Sequence, residues 1–119
     1  MDLKSKDTTE NNILIAKFMG REIHTDGIGY FDENFTSLKY NDWNTLMPVV
    51  EKIRNVTSYD RDKFSTEVTI YGDKTSIKSK GYGEKEHSKS FFNKSFRGKY
   101  NSIEPTYKAI VEYVKWYNK

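Results

Sequence analysis

The stretch Phe64-Ser65-Thr66-Glu67-Val68-Thr69-Ile70-Tyr71-Gly72-Asp73-Lys74-Thr75-Ser76-Ile77-Lys78-Ser79-Lys80 decides the fold. Glu67 and Thr69 interleave with Val68 and Ile70, and β-branched residues dominate, as a half-buried strand prefers. Gly72-Asp73-Lys74 is a turn signal, and Thr75–Lys80 reads as the return strand with Ile77 inside. Gly81 and Gly83 end it.

Three flanking segments can supply helices. Ser102–Tyr117 places Ile103, Tyr107, Ile110, Val111, Val114 and Tyr117 on one apolar stripe, with Ser102 as expected N-cap and Pro105 in the first turn. Asp42–Arg54 carries Leu46, Val49, Val50 and Ile53 at helical spacing behind a possible cap at Asp42 or Asn41. Pro48 must bend this helix or lie near its start. Asn12–Met19 is dense in apolar residues and stops at Gly20, with Thr9 as the expected cap, though a strand also fits so short a run. Between them, Asp26-Gly27 with Gly29 and Asp32-Glu33-Asn34 mark turns, with short strands expected around Ile23 and over 35–40. Residues 1–8 read as a disordered leader. Residues 9–119 then form a single α+β domain, helices packed on a small antiparallel sheet, with a basic insertion at 81–101.

Composition narrows function by exclusion. The chain has 119 residues, enough for one domain. Only 35% are apolar against 31% charged, so the core is thin and leans on nine Tyr and seven Phe. The absence of cysteine removes disulfides, Cys-based zinc sites and thiol nucleophiles. No apolar run reaches the roughly 18–20 residues of a membrane helix. The polar start, Met1–Thr9, lacks the apolar segment of a signal peptide, so the expected location is the cytoplasm.

No catalytic constellation is visible. His24 and His87 lack metal-ligand spacing, and Asp60-Arg61-Asp62 reads as a solvated turn. No phosphate loop or nucleophile elbow is present. Lys80-Gly81-Tyr82-Gly83 matches the start of an RNA-binding motif, but the match stops at Glu84. The expectation is a non-enzyme with no cofactor and no metal.

Charge resolved along the chain says more than its total of +3. Residues 1–73 carry nine Lys/Arg and thirteen Asp/Glu; residues 74–101 carry eight Lys/Arg and two Glu. Within the basic part, Phe91, Phe92, Phe96 and Tyr100 interleave with Lys94, Arg97 and Lys99. Basic groups neutralise phosphates and aromatics stack on bases, which suits single-stranded nucleic acid or a nucleotide. Aromatics and Arg also anchor protein interfaces. Equally, Phe92 and Phe96 can lie on one inward strand face with the lysines in solvent. Trp43, at a helix start, can stack on a ligand or pack under its helix. The expected partner- or ligand-binding residues are Phe91, Lys94, Phe96, Arg97, Lys99, Tyr100 and Trp43.

Three stretches carry a resemblance: 11–20 (NNILIAKFMG), 42–53 (DWNTLMPVVEKI) and 108–118 (KAIVEYVKWYN). Together they resemble a family of small phage and prophage proteins common in Bacteroidetes, similar to the phage ABA-sandwich group. The resemblance covers about half the chain and implies an α/β sandwich and a mobile-element origin, with no catalytic residue to carry over. Thr45 stands where many relatives have an aromatic, and the basic stretch is longer than usual. The function this implies is an accessory protein that binds and inhibits a host factor, such as a CRISPR nuclease or another RNA- or DNA-handling immune effector. The alternatives are a sponge for a cyclic nucleotide signal, using Trp43, Arg97 and Lys99, and a single-stranded nucleic-acid binding module.

Overall fold

The computed structural model describes residues 6–56, 58–59, 62–81, 90–99 and 101–118. Strands β3 (Ser58–Tyr59), β4 (Asp62–Tyr71), β5 (Lys74–Gly81) and β6 (Ser90–Arg97) form an antiparallel sheet in the order β3-β4-β5-β6. The expected hairpin is its centre. Val68 pairs with Ile77 and Tyr71 with Lys74, across a two-residue turn in which Gly72 adopts φ 53°. The basic stretch is therefore partly sheet: β6 adds to the far side of β5, with a register shift at Ser79/Lys80. Phe91 is the extra residue of this bulge, because Ser79 pairs with Phe92 and Lys80 with Ser90.

Helices α1 (Lys6–Phe18), α2 (Trp43–Arg54) and α3 (Ile103–Tyr117) complete the α+β domain. α3 lies on β5 and β6, α2 on β4 and against α3, and α1 against α3. Alternation along the strands then fixes their two faces. Thr66 and Val68 of β4, Thr75, Ile77 and Ser79 of β5 and Phe92 of β6 are buried toward the helices. They meet Leu46, Val49, Val50 and Ile53 of α2 and Tyr107, Ile110, Tyr113 and Val114 of α3. The core is thin, as the composition demands, and hydroxyls take up part of it. Thr75 Oγ1 lies 2.7 Å from Thr106 Oγ1, and Thr66 Oγ1 lies 2.9 Å from Ser79 Oγ. Pairing of this kind removes the cost of burying each hydroxyl alone. Among the described residues the Tyr113 hydroxyl has no partner at hydrogen-bonding distance. Burial pushes its pKa up, and the nearby Thr66 and Ser79 hydroxyls draw it partly back.

Several local expectations need correcting. α1 begins at Lys6, so Thr9 lies inside the helix and does not cap it; residues 6–8 of the expected leader are helical, and residues 1–5 lie outside the described residues. The reason is remote in sequence: the Tyr107 hydroxyl donates to Asn12 Oδ1 at 2.7 Å and to Thr8 O at 3.3 Å, tying the first turns of α1 to α3. Ser102 makes no side-chain cap on α3, and Asn101 Oδ1 accepts from Ile103 N instead. Asp42 caps α2 as expected, in a reciprocal capping box with Thr45, and Pro48 is accommodated inside that helix. Lys52 of α2 donates to Phe18 O and lies over the Phe18 ring, joining α2 to the end of α1.

The chain between α1 and α2 forms an arm of mostly irregular backbone. Its regular part is a two-residue ladder of β1 (His24–Thr25) with β2 (Tyr30–Phe31), followed by one bridge from Phe31 to Ser37. The strand expected over 35–40 is reduced to that bridge. Two aspartates organise the arm. Asp26 Oδ1 accepts from Ile28 N and Gly29 N, and Asp32 Oδ1 accepts from Asn34 N and Thr36 N. Phe35 is held at φ 60°, a left-handed conformation that costs a non-glycine residue about 1 kcal/mol or more.

Candidate functional site

The sheet has a second face, opposite the helices, and among the described residues nothing packs against it. Its rows follow from the register. Tyr71, Lys74 and Arg97 form one row across β4, β5 and β6; Thr69, Ser76 and Ser95 the next; Glu67, Lys78 and Asn93 a third; Ser65 and Lys80 continue it. These side chains are exposed or half-buried. Alternate residues on a strand lie about 7 Å apart and neighbouring strands about 4.8 Å apart. Lys78 and Lys80 are therefore successive cations along β5, and Lys74 and Arg97 are cross-strand neighbours. Among the described side chains of this face, four cations stand against one carboxylate, Glu67, which faces Lys78 directly.

The remaining groups on this face are hydrogen-bonding side chains. Ser76 and Ser95 share a hydrogen bond at 2.7 Å, and Thr69 and Asn93 flank them. One large aromatic is described here: Tyr71, 52% exposed, with Lys74 Nζ 5.8 Å above its ring. The face is thus a polar, cationic platform without an apolar centre among its described residues.

The five expected residues whose side chains are described do not share one face. Arg97 lies on the open face. Lys94 pairs with Ile77 and so belongs to the helix side, where its Nζ lies 3.9 Å from Glu112 Oε2 of α3. Phe96 pairs with Thr75 and packs half-buried against the core, and Phe92 is fully in it. Lys99 is exposed beyond the end of β6. Trp43 opens α2 and packs against the core. The sheet therefore stands between Trp43 and Arg97, and no shared nucleotide pocket forms from them. Tyr100 and the side chain of Phe91 lie outside the described residues, as does 82–89, the middle of the basic insertion. Lys74, Lys78 and Lys80, which are not in the expected set, share the open face with Arg97. Their signal was present in sequence, since positions 74, 78 and 80 share the parity opposite to buried Ile77.

A cleft of about 220 Å³ lies between the arm and α2, lined by Arg21, Asp32, Tyr40, Asn44 and Pro48 among others. Two of its charged groups are engaged within the arm. Arg21 Nη1 donates to Glu33 Oε1 at 2.7 Å, which lowers the Glu33 pKa and raises that of Arg21. Asp32 is held by the backbone N–H groups of Asn34 and Thr36, and burial raises the Tyr40 pKa. Such a cleft is smaller than most ligand pockets. Among the described residues no cluster of His, Asp or Glu could hold a metal ion, and no helix is long and apolar enough to cross a membrane.

Comparison with known proteins yields no matching family model, no matching curated relative and no matching solved structure.

Proposed function

We propose that this chain is a non-catalytic binding module whose open sheet face holds single-stranded nucleic acid. One observation carries the reading: Lys74, Lys78, Lys80 and Arg97 share that face with Ser, Thr and Asn donors, and its described residues include no apolar centre. Lys, Arg, Ser, Thr and Asn are the side chains that contact phosphate and sugar. Stable protein interfaces select against lysine and serine and concentrate binding energy in buried aromatic anchors, so this face suits a polyanion better than a tight protein partner. Tyr71 offers a base a stacking partner at the end of the lysine row. In a phage or prophage setting, which the resemblance implies, such a module would inhibit a cytoplasmic host effector by occupying the RNA or DNA strand that the effector handles.

The test is fluorescence anisotropy of a labelled thymidine homopolymer at low salt. Saturable binding is expected from the wild-type chain and from Lys108→Glu, whose lysine lies on α3 beside Glu104. Lys74→Glu/Lys78→Glu should abolish it while circular dichroism stays unchanged. No saturable binding by the wild type, or equal binding by the double variant, refutes the reading.

A further inference from the structure

The arm presents its apolar groups in the wrong place for folding. Ile28 is 96% exposed and Phe35 79% exposed, and neither belongs to the core. Tyr30 is exposed beside them on β2. Scattered surface hydrophobics are ordinary, but these are held in place. Ile28 sits in the turn that Asp26 closes, further fastened by Thr25 Oγ1 donating to Gly29 O and accepting from Gly27 N. Phe35 is kept left-handed by its own N–H donating to Asp32 O, and its ring lies 6.2 Å from that of His24. Glu33 clamps the base of the arm through Arg21 and Glu22 N. A preformed, strained loop that displays two large apolar side chains has the geometry of a docking element.

Its charge says what it docks on. Residues 21–35 carry four carboxylates, Glu22, Asp26, Asp32 and Glu33, against Arg21 alone. The open sheet face has the opposite balance, four cations against Glu67, with Tyr71 exposed at one end. The arm is fastened to the helix side of the molecule, where Asn12 Nδ2 donates to Leu38 O, so the sheet that it complements belongs to another molecule.

We propose that the acidic arm of one copy docks on the basic sheet face of a second copy, with Ile28 and Phe35 seated against Tyr71 and the lysine stems. The contact is heterologous: each copy offers one arm and one face, so association is open-ended and does not stop at a symmetric pair. Arm and nucleic acid then compete for one surface, and self-association keeps the face covered until a strand displaces the arm. That regulatory half rests on the nucleic-acid reading; the self-association does not.

Sedimentation velocity and light scattering at low salt test it without nucleic acid. The weight-average mass should rise with concentration from one chain toward two and more, and fall back on adding salt. Ile28→Ser/Glu22→Lys, altered only in the arm, and Lys74→Glu/Arg97→Glu, altered only in the sheet, should each stay monomeric alone. Mixed together they should form a one-to-one pair and nothing larger, because that mixture holds one intact arm and one intact face. A wild type that is monomeric up to millimolar concentration overturns the proposal, as does a mixture that fails to pair. A labelled thymidine homopolymer should then dissociate the wild-type assembly. An assembly that persists beside bound oligonucleotide overturns the competition and leaves both bindings measured separately.

Discussion

Raising salt should weaken strand binding by an amount that the sheet register sets. Binding of a cation-lined face to a single strand releases counterions, and log K falls with log salt at a slope of about −0.7 per phosphate neutralised. With Lys74, Lys78, Lys80 and Arg97 all engaged, the slope is about −2.8, and affinity drops roughly 50-fold between 50 and 200 mM salt. Lys74→Gln/Arg97→Gln removes one complete row and leaves two cations, so the slope becomes about −1.4 and the drop roughly 7-fold. Glu67→Gln acts the other way: it frees Lys78 from the carboxylate facing it, raising affinity at low salt. The assay is anisotropy of one labelled homopolymer titrated at four or more salt concentrations, with Lys108→Gln as the control off the face. A wild-type slope near zero, or a slope that the paired glutamines leave unchanged, would refute the assignment of binding to this face.

Three further outcomes test the scaffold. Thr106→Val strands the buried Thr75 hydroxyl and should cost about 1–3 kcal/mol in urea unfolding, while Thr75→Val/Thr106→Val should cost less than the two single changes together; strict additivity would mean that the pair does not interact. A Cβ on Gly98 would stand 2.4 Å from Asn101 O and 2.6 Å from Pro105 Cδ, so Gly98→Ala should destabilise by roughly 1–3 kcal/mol, seen as a lower melting temperature. Burial raises the Tyr107 pKa from 10 to about 12. In that window the unfolded chain has lost a proton that the folded chain still holds, so stability falls as pH rises. Tyr107→Phe should flatten this fall, and should lose about 1 kcal/mol at neutral pH with its hydrogen bond to Asn12.

The parts of the fold that could be read in advance are those held by local rules. β4 and β5 alternate over a Gly-Asp turn, α2 begins with a capping box four residues long, and α3 repeats an apolar stripe. What escaped depends on partners far along the chain. The first two turns of α1 are fixed by a tyrosine 95 to 99 residues away, and the buried hydroxyls of Thr75 and Thr106 look like surface groups until α3 meets β5. The candidate site shows the same division. The basic aromatic stretch drew attention because its charges are adjacent in sequence, yet strand parity sends Phe92, Lys94 and Phe96 to the helix side and Arg97 to the open one. Three of the four described cations of the platform are lysines of the hairpin, brought beside β6 only by the sheet.

Lys94 acquires a different importance from that position. β6 ends the sheet among the described residues, and the outer edge of such a strand is a template on which another chain can add its own strand. An ammonium placed inward on the edge strand, opposite Ile77 and held near Glu112, would be stripped of water by any chain that paired there. Exchanging it for isoleucine would extend the apolar core and remove that penalty together. The chain would become tighter as a monomer and more prone to aggregate through its sheet edge.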